Sequence, residues 1–137
     1  MNTDDTIRVL LVDGSRNETT TGSLRQTLSG VTGIMLTGEV GSGEEALAAA
    51  RHLQPDVIVM LADCGMPGMD SIDTAGVIAG ERLPARVVIL TENVVRSLVP
   101  AVKAGVAGLF SPDAGHEELL MAIRRIHQWS PYSVSMQ

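Results

Sequence analysis

Four short aliphatic runs of this chain end beside a side chain that could do chemistry: Asp13 after "IRVLLV", Asp63 after "DVIVML", Thr91 after "RVVIL" and Ser111 after "AGLF". A carboxylate at such a place can ligate a cation, move a proton or attack a phosphoryl group. Asp13 reads equally well as a metal or acid–base group and as a helix cap or solvated turn acid. Asp63 carries the same two readings, and the "GMPGMD" that follows it forms a turn able to hold a reactive group still. Thr91 could donate to an anion, but a threonine after a strand more often caps the local backbone. Cys64 has no basic neighbour in sequence to lower its pKa, so it reads as an ordinary thiol. His52, His116 and His127 lack metal-ligand spacing and are expected on helix surfaces.

Positioning these residues requires regular elements. The runs Ile7–Val12, Ile34–Val40, Asp56–Leu61, Arg86–Leu90 and Ala107–Phe110 are mostly continuous rather than alternating, as in strands buried on both faces. Ser42-Gly-Glu-Glu45 is a capping box that opens a helix with Ala46, Leu47, Ala50 and Leu53 on one face. Glu117–Trp129 puts Leu119, Leu120, Ile123 and Ile126 on one stripe, with acids first and bases last. Ser71–Glu81 and Asn93–Ala104 suit helices less strongly. Between the first two strands only Leu24 and Leu28 mark an apolar face, and Thr19, Thr20, Thr21 and Gly22 are poor helix formers. Strand and helix alternating five times predict an α/β fold: a five-stranded parallel sheet, doubly wound and flavodoxin-like, with helices on both faces. Ligands in such folds sit at the carboxyl ends of the strands, where the four residues above fall.

Composition narrows the function. The 137 residues are one domain's worth of chain, with 1–129 expected to fold and 130–137 to be a linker or C-terminal tail. A net charge of −6 argues against this segment binding nucleic acid. A single cysteine excludes an internal disulfide and fits a cytoplasmic location. No leader pattern and no apolar run of membrane length stands out, so no membrane association is expected. The chain has no G-x-x-x-x-G-K-[ST] loop, no G-x-G-x-x-G and no G-x-S-x-G elbow, so no enzyme is expected. "TTTG" at Thr19–Gly22 lies too far past the first strand for a flavin phosphate loop.

Together "VLLVDG", "GEEALAAARHLQPDVIVM", "MPGMDS", "VVILTE", "AVKAGVAGLF" and "EELLMAIRRI" resemble the receiver domain of two-component response regulators. The likeness is to the type that precedes a helix-turn-helix output domain in bacterial transcription factors, and it spans residues 6 to 129. The resemblance implies an aspartate phosphorylated at the end of the third strand, with magnesium to offset charge repulsion. It also implies two acids after the first strand, a Ser/Thr after the fourth, an aromatic switch on the fifth and a lysine after it.

Matched position by position, the site is depleted. Asp13 fits the first acid, but the second falls on Gly14. Thr91 is retained. The lysine position is Pro112, which offers neither cation nor backbone N–H. The aromatic position is Leu109, with Phe110 displaced by one and facing the other side. The phospho-acceptor falls on Leu61 counting forward from "QPD" and on Asp63 counting back from "MPG", because two extra residues lie between. The expectation is Leu61 in the pocket and Asp63 above it.

Magnesium, implied by the resemblance and weakened by these departures, would have Asp13, Asp63 and the Gly65 carbonyl as its ligands. The expected cofactor is therefore none. The expected function is an atypical receiver, a non-catalytic regulatory or dimerisation module of a bacterial transcription regulator outside ordinary aspartyl phosphorylation. Its expected partners are a second copy and an output DNA-binding domain, with a sensor kinase left open. The alternatives are a working phospho-acceptor using Asp63 with magnesium, and a ligand-binding flavodoxin-like domain.

Overall fold

All five aliphatic runs form strands in the computed structural model, which describes residues 6–13, 18–61, 70–112 and 115–128. The chain order is β1 (Ile7–Asp13), α1 (Glu18–Ser29), β2 (Ile34–Val40), α2 (Gly43–Leu53), β3 (Val57–Leu61), α3 (Ser71–Gly80), β4 (Arg86–Leu90), α4 (Val94–Lys103), β5 (Gly108–Phe110) and α5 (His116–Gln128). The strands form one parallel sheet in the order β2-β1-β3-β4-β5. β1 follows β2 on one side and meets β3 on the other, so the strand order reverses between β1 and β3. That reversal opens the crevice at their carboxyl ends.

Alternate residues of the central strands divide the core in two. Val9, Leu11, Val57, Val59, Leu61, Val88 and Leu90 pack with Leu24 and Leu28 of α1 and Leu119 and Ile123 of α5. Leu10, Val12, Ile58, Met60, Val87 and Ile89 point the other way, onto Ala46, Leu47 and Ala50 of α2 and Ala75 and Ile78 of α3. β3 is fully buried because both faces are covered. Fully burying each Val, Leu or Ile side chain contributes about 1.5–3 kcal/mol before entropy is counted.

Two expectations change. β2 is an edge strand, with Met35 and Glu39 exposed, rather than a strand buried on both faces. Its Glu39 marks the solvent side and forms an ion pair with Arg25. β5 is three residues long and half-buried, also at an edge. The threonine-rich first helix forms nonetheless, because Leu24 and Leu28 bury against the sheet; tertiary packing outweighs weak propensity.

Candidate functional site

The pairing register sets the floor of the strand-end cleft. Asp13 lies opposite Leu61, Leu61 opposite Leu90, and Leu90 opposite Phe110. Neighbours in one register row share a face, so a single carboxylate begins a row that continues with three apolar side chains. Leu61 is 4% exposed and belongs to the cluster holding Leu24, Leu90 and Leu119, with Phe110 packed against it. The crevice around Leu61, lined also by Pro112 and His116, measures about 30 Å³.

Above this row, Thr91 is buried at 2% exposure directly after β4. Its N–H donates to the Phe110 carbonyl at 2.9 Å, which continues the β4–β5 ladder one step. Its Oγ1 accepts the Asn93 N–H at 3.0 Å and shapes the turn into α4. Asp13, buried at the end of β1, stands on the other flank of the same cleft. Gly14, Asp63, Cys64 and Gly65 lie outside the described residues, so the structure brings together Asp13, Leu61, Thr91 and Pro112 of the expected set. Lys103, at the exposed end of α4, is the only lysine in the chain, and none follows β5.

Leu109 and Phe110 face opposite sides of β5. Leu109 packs with the α2/α3 cluster, and Phe110 with the α1/α5 cluster. Phe110 folds its ring over Gly108, where an added Cβ would stand 2.8 Å from Phe110 Cε2 and 3.2 Å from Ile126 Cδ1. A side chain at position 108 would therefore require the Phe110 ring to shift.

Magnesium, the metal that the resemblance implies, needs several anionic oxygens. Among the described residues no group of three His, Cys, Asp or Glu side chains could hold a metal ion. Of the three expected magnesium ligands only Asp13 is among the described residues, as the one carboxylate of the register row; Asp63 and Gly65 lie outside them.

His116 corrects the expectation of three surface histidines. It is half-buried, and its Nδ1 lies 2.6 Å from Thr27 Oγ1, tying the start of α5 to α1 beside the crevice. The two residues are 89 positions apart, and no local pattern links them.

Residues 9–124 match the family described as "Response regulator receiver domain". The chain is 32% identical over 130 residues to the response regulator UvrY of Escherichia coli strain K12, covering 94% of this chain and 58% of UvrY. It therefore spans less than two thirds of that relative's length. A LuxR-family two-component response regulator from Aurantimonas sp. SI85-9A1 superposes with a TM-score of 0.80 at 25% identity, covering 95% of this chain and 94% of that one. The signal receiver domain of NarL from Mycobacterium tuberculosis shares the fold with a TM-score of 0.81 at 24% identity, covering 92% and 99%. No helix among the described residues is long and apolar enough to cross a membrane.

Proposed function

Because this chain belongs to the family of response regulator receiver domains, we propose that it is an atypical member: a non-catalytic regulatory module outside ordinary aspartyl phosphorylation. Leu61 carries this reading. At the end of β3, where the count from Pro55-Asp56 puts the acceptor, stands a side chain buried among leucines. Gly14 at the second acid and Pro112 at the lysine position point the same way. A pocket whose described residues offer one carboxylate and no lysine has little to offset the charge of a transferring phosphoryl group.

In place of the phosphoryl switch, the module presents a surface. Val95, Leu98, Val99 and Val102 of α4 are exposed, with Met121 of α5 exposed as well. The α4 residues are spaced i, i+3, i+4, i+7, the stripe a helix offers to a partner. A second copy is the occupant we favour, since a two-fold pairing would cover one seam with the other. The greater length of the relatives leaves room for an output DNA-binding domain in a complete regulator.

The test is incubation with acetyl phosphate and magnesium followed by intact-mass measurement. We expect an unmodified chain. A phosphoryl adduct mapped to Asp63 would establish the second reading, which the buried Asp13 and Thr91 at their strand ends favour. In that reading beryllofluoride would also shift the NMR signals of residues 60–66, whereas the first expects them unmoved.

A further inference from the structure

At the end of the sheet opposite the strand-end cleft, a cavity of about 640 Å³ opens between the last turn of α5 and the residues that lead into β4 and β5. The pairing register explains its place. Val9 lies opposite Val57 and Val57 opposite Arg86, one row on the face that packs against α1 and α5. The row ends there in a charged side chain instead of an aliphatic one. The positions around it are small, namely Ala85, Gly105 and Ala107, so they leave the space unfilled. Arg125 and half-buried Ile126 of α5 lie across from them. A hollow of about 400 Å³, lined also by Phe110 and Met121, shares Ala107, Arg125 and Ile126 with this cavity.

The larger cavity has the size of a small-molecule pocket and the make-up of one, apolar walls with a few convergent polar groups. Those groups are two guanidiniums from different elements, Arg86 of β4 and Arg125 of α5. Arg125 has no hydrogen-bond or ion-pair partner among the described residues, so its donors are open to a ligand. The surrounding charge has the same sign. Arg8, at the start of β1, donates to the Gln54 carbonyl at 3.0 Å, and Arg124 of α5 donates to the Thr32 carbonyl at 3.3 Å. A carbonyl satisfies a guanidinium N–H without neutralising its charge. Asp56, whose carboxylate accepts the Arg8 backbone N–H at 2.8 Å, offsets part of it. Four of the nine arginines thus gather at one end of a chain whose net charge is −6, and the field there favours an anion.

We propose that this cavity binds a small amphipathic anion. Its acidic head sits on the Arg125 and Arg86 guanidiniums, and its apolar body lies on Ala85, Val106, Ala107 and Ile126. Arginine suits such a ligand because its fork of N–H donors matches an oxyanion while its aliphatic stem extends the apolar wall. The site is separate from the strand-end cleft, so it does not depend on whether Asp63 accepts a phosphoryl group.

Two dyes that differ by one group make the test direct: anilinonaphthalene sulfonate, and phenylnaphthylamine, which has the same rings and no sulfonate. The 137-residue chain should bind the sulfonate saturably and about tenfold more tightly than the neutral dye, the effect expected of charge-assisted hydrogen bonds. Amide NMR shifts caused by the sulfonate should centre on residues 85–86, 105–107 and 123–126 and leave α4 unmoved. Arg125→Gln should remove most of the preference for the sulfonate without changing the affinity for the neutral dye. Ala107→Glu, at an exposed position, should weaken sulfonate binding at least as much. Circular dichroism should be unchanged in both variants. Equal binding of the two dyes, an Arg125→Gln chain that keeps the preference, or the absence of saturable sulfonate binding overturns the proposal. So do shifts confined to the α4 stripe, which would make the dye a reporter of that surface, and sulfonate binding that appears only on dilution, which would assign the cavity to a second copy.

Discussion

Helices α2 and α4 flank the same sheet and have nearly equal lengths, 11 and 10 residues, yet they are held very differently. α2 begins with Ser42, whose Oγ accepts the Glu45 N–H, while Glu45 Oε1 accepts the Gly41 N–H. It ends on Gln54 in the left-handed region, and the Gln54 N–H donates to the Ala50 carbonyl. Ala46, Leu47 and Ala50 disappear into the core, and Arg51 reaches across to Glu81 at the end of α3. α4 begins at Asn93 with no side-chain cap bond, carries Pro100 inside, and buries only Ala101. Val95 is 88% exposed, and Leu98, Val99 and Val102 are at least half exposed. The fold accounts for every apolar residue on the inner face of α2. It does not account for the apolar stripe of α4, and an exposed contiguous stripe of this kind marks an interaction surface.

The sharpest break of this contrast exchanges one leucine on each helix. Leu47→Ala should lower unfolding stability by about 2–5 kcal/mol, as for other buried leucines. Leu98→Ala should stay within about 0.5 kcal/mol, as for a surface change. Urea denaturation of both variants checks this. Sedimentation equilibrium should show the reverse order, with Leu98→Ala weakening self-association and Leu47→Ala leaving it intact in the fraction that remains folded. An α4 that loses as much stability as α2 would mean its stripe is packed at home, and the self-association reading would lose its ground.

A smaller effect separates the two N-termini. Ser42→Ala removes a satisfied cap and should cost about 1 kcal/mol. Asn93→Ala removes no cap bond and should be close to neutral, because Asn93 contributes its backbone carbonyl to the first turn and not its side chain. Thermal midpoints measured side by side decide it. Equal losses would show that Asn93 caps α4 in solution, and the contrast would rest on burial alone.

How much of this was legible depends on whether the relevant physics is local. The capping box and the i, i+3, i+4 pattern of α2 lie within a dozen residues, and the helix forms where the pattern starts. α1 was barely legible, since its packing against β2 and α5 outweighs a run of threonines. The edge position of β2 was missed, although the exposed Glu39 in mid-strand was the available sign. In the cleft, counting from Pro55-Asp56 located the end of β3 at Leu61, because strand length follows the aliphatic run. Asp63 falls outside the described residues, where no periodic pattern guides the chain. The His116–Thr27 bond joins two elements far apart in sequence and had no local signature.

The smallest test of the comparison uses pH. Arg51 Nε donates to Glu81 Oε1 at 2.8 Å, and this side-chain hydrogen bond holds the Glu81 carboxyl below its ordinary pKa of 4.5; Coulomb attraction adds to it, and desolvation opposes it. A carboxyl with a depressed folded-state pKa contributes stability that is present above its unfolded pKa and lost as pH falls through the folded value. Glu81→Gln should therefore melt slightly below the parent chain near neutrality, and the difference should close on acidification to about pH 3. Added salt at neutral pH should also shrink it, since the pair is solvent-exposed. On α4 neither Arg96 nor Lys103 has an ion-pair partner among the described residues, so Arg96→Gln should show no acid-dependent difference from the parent. A melting difference for Glu81→Gln that persists unchanged to low pH would show that packing, and not the Arg51 pair, joins α2 to α3. A pH-dependent difference for Arg96→Gln would reveal a carboxylate partner on α4, and the self-association seam would then carry an intramolecular charge contact beside it.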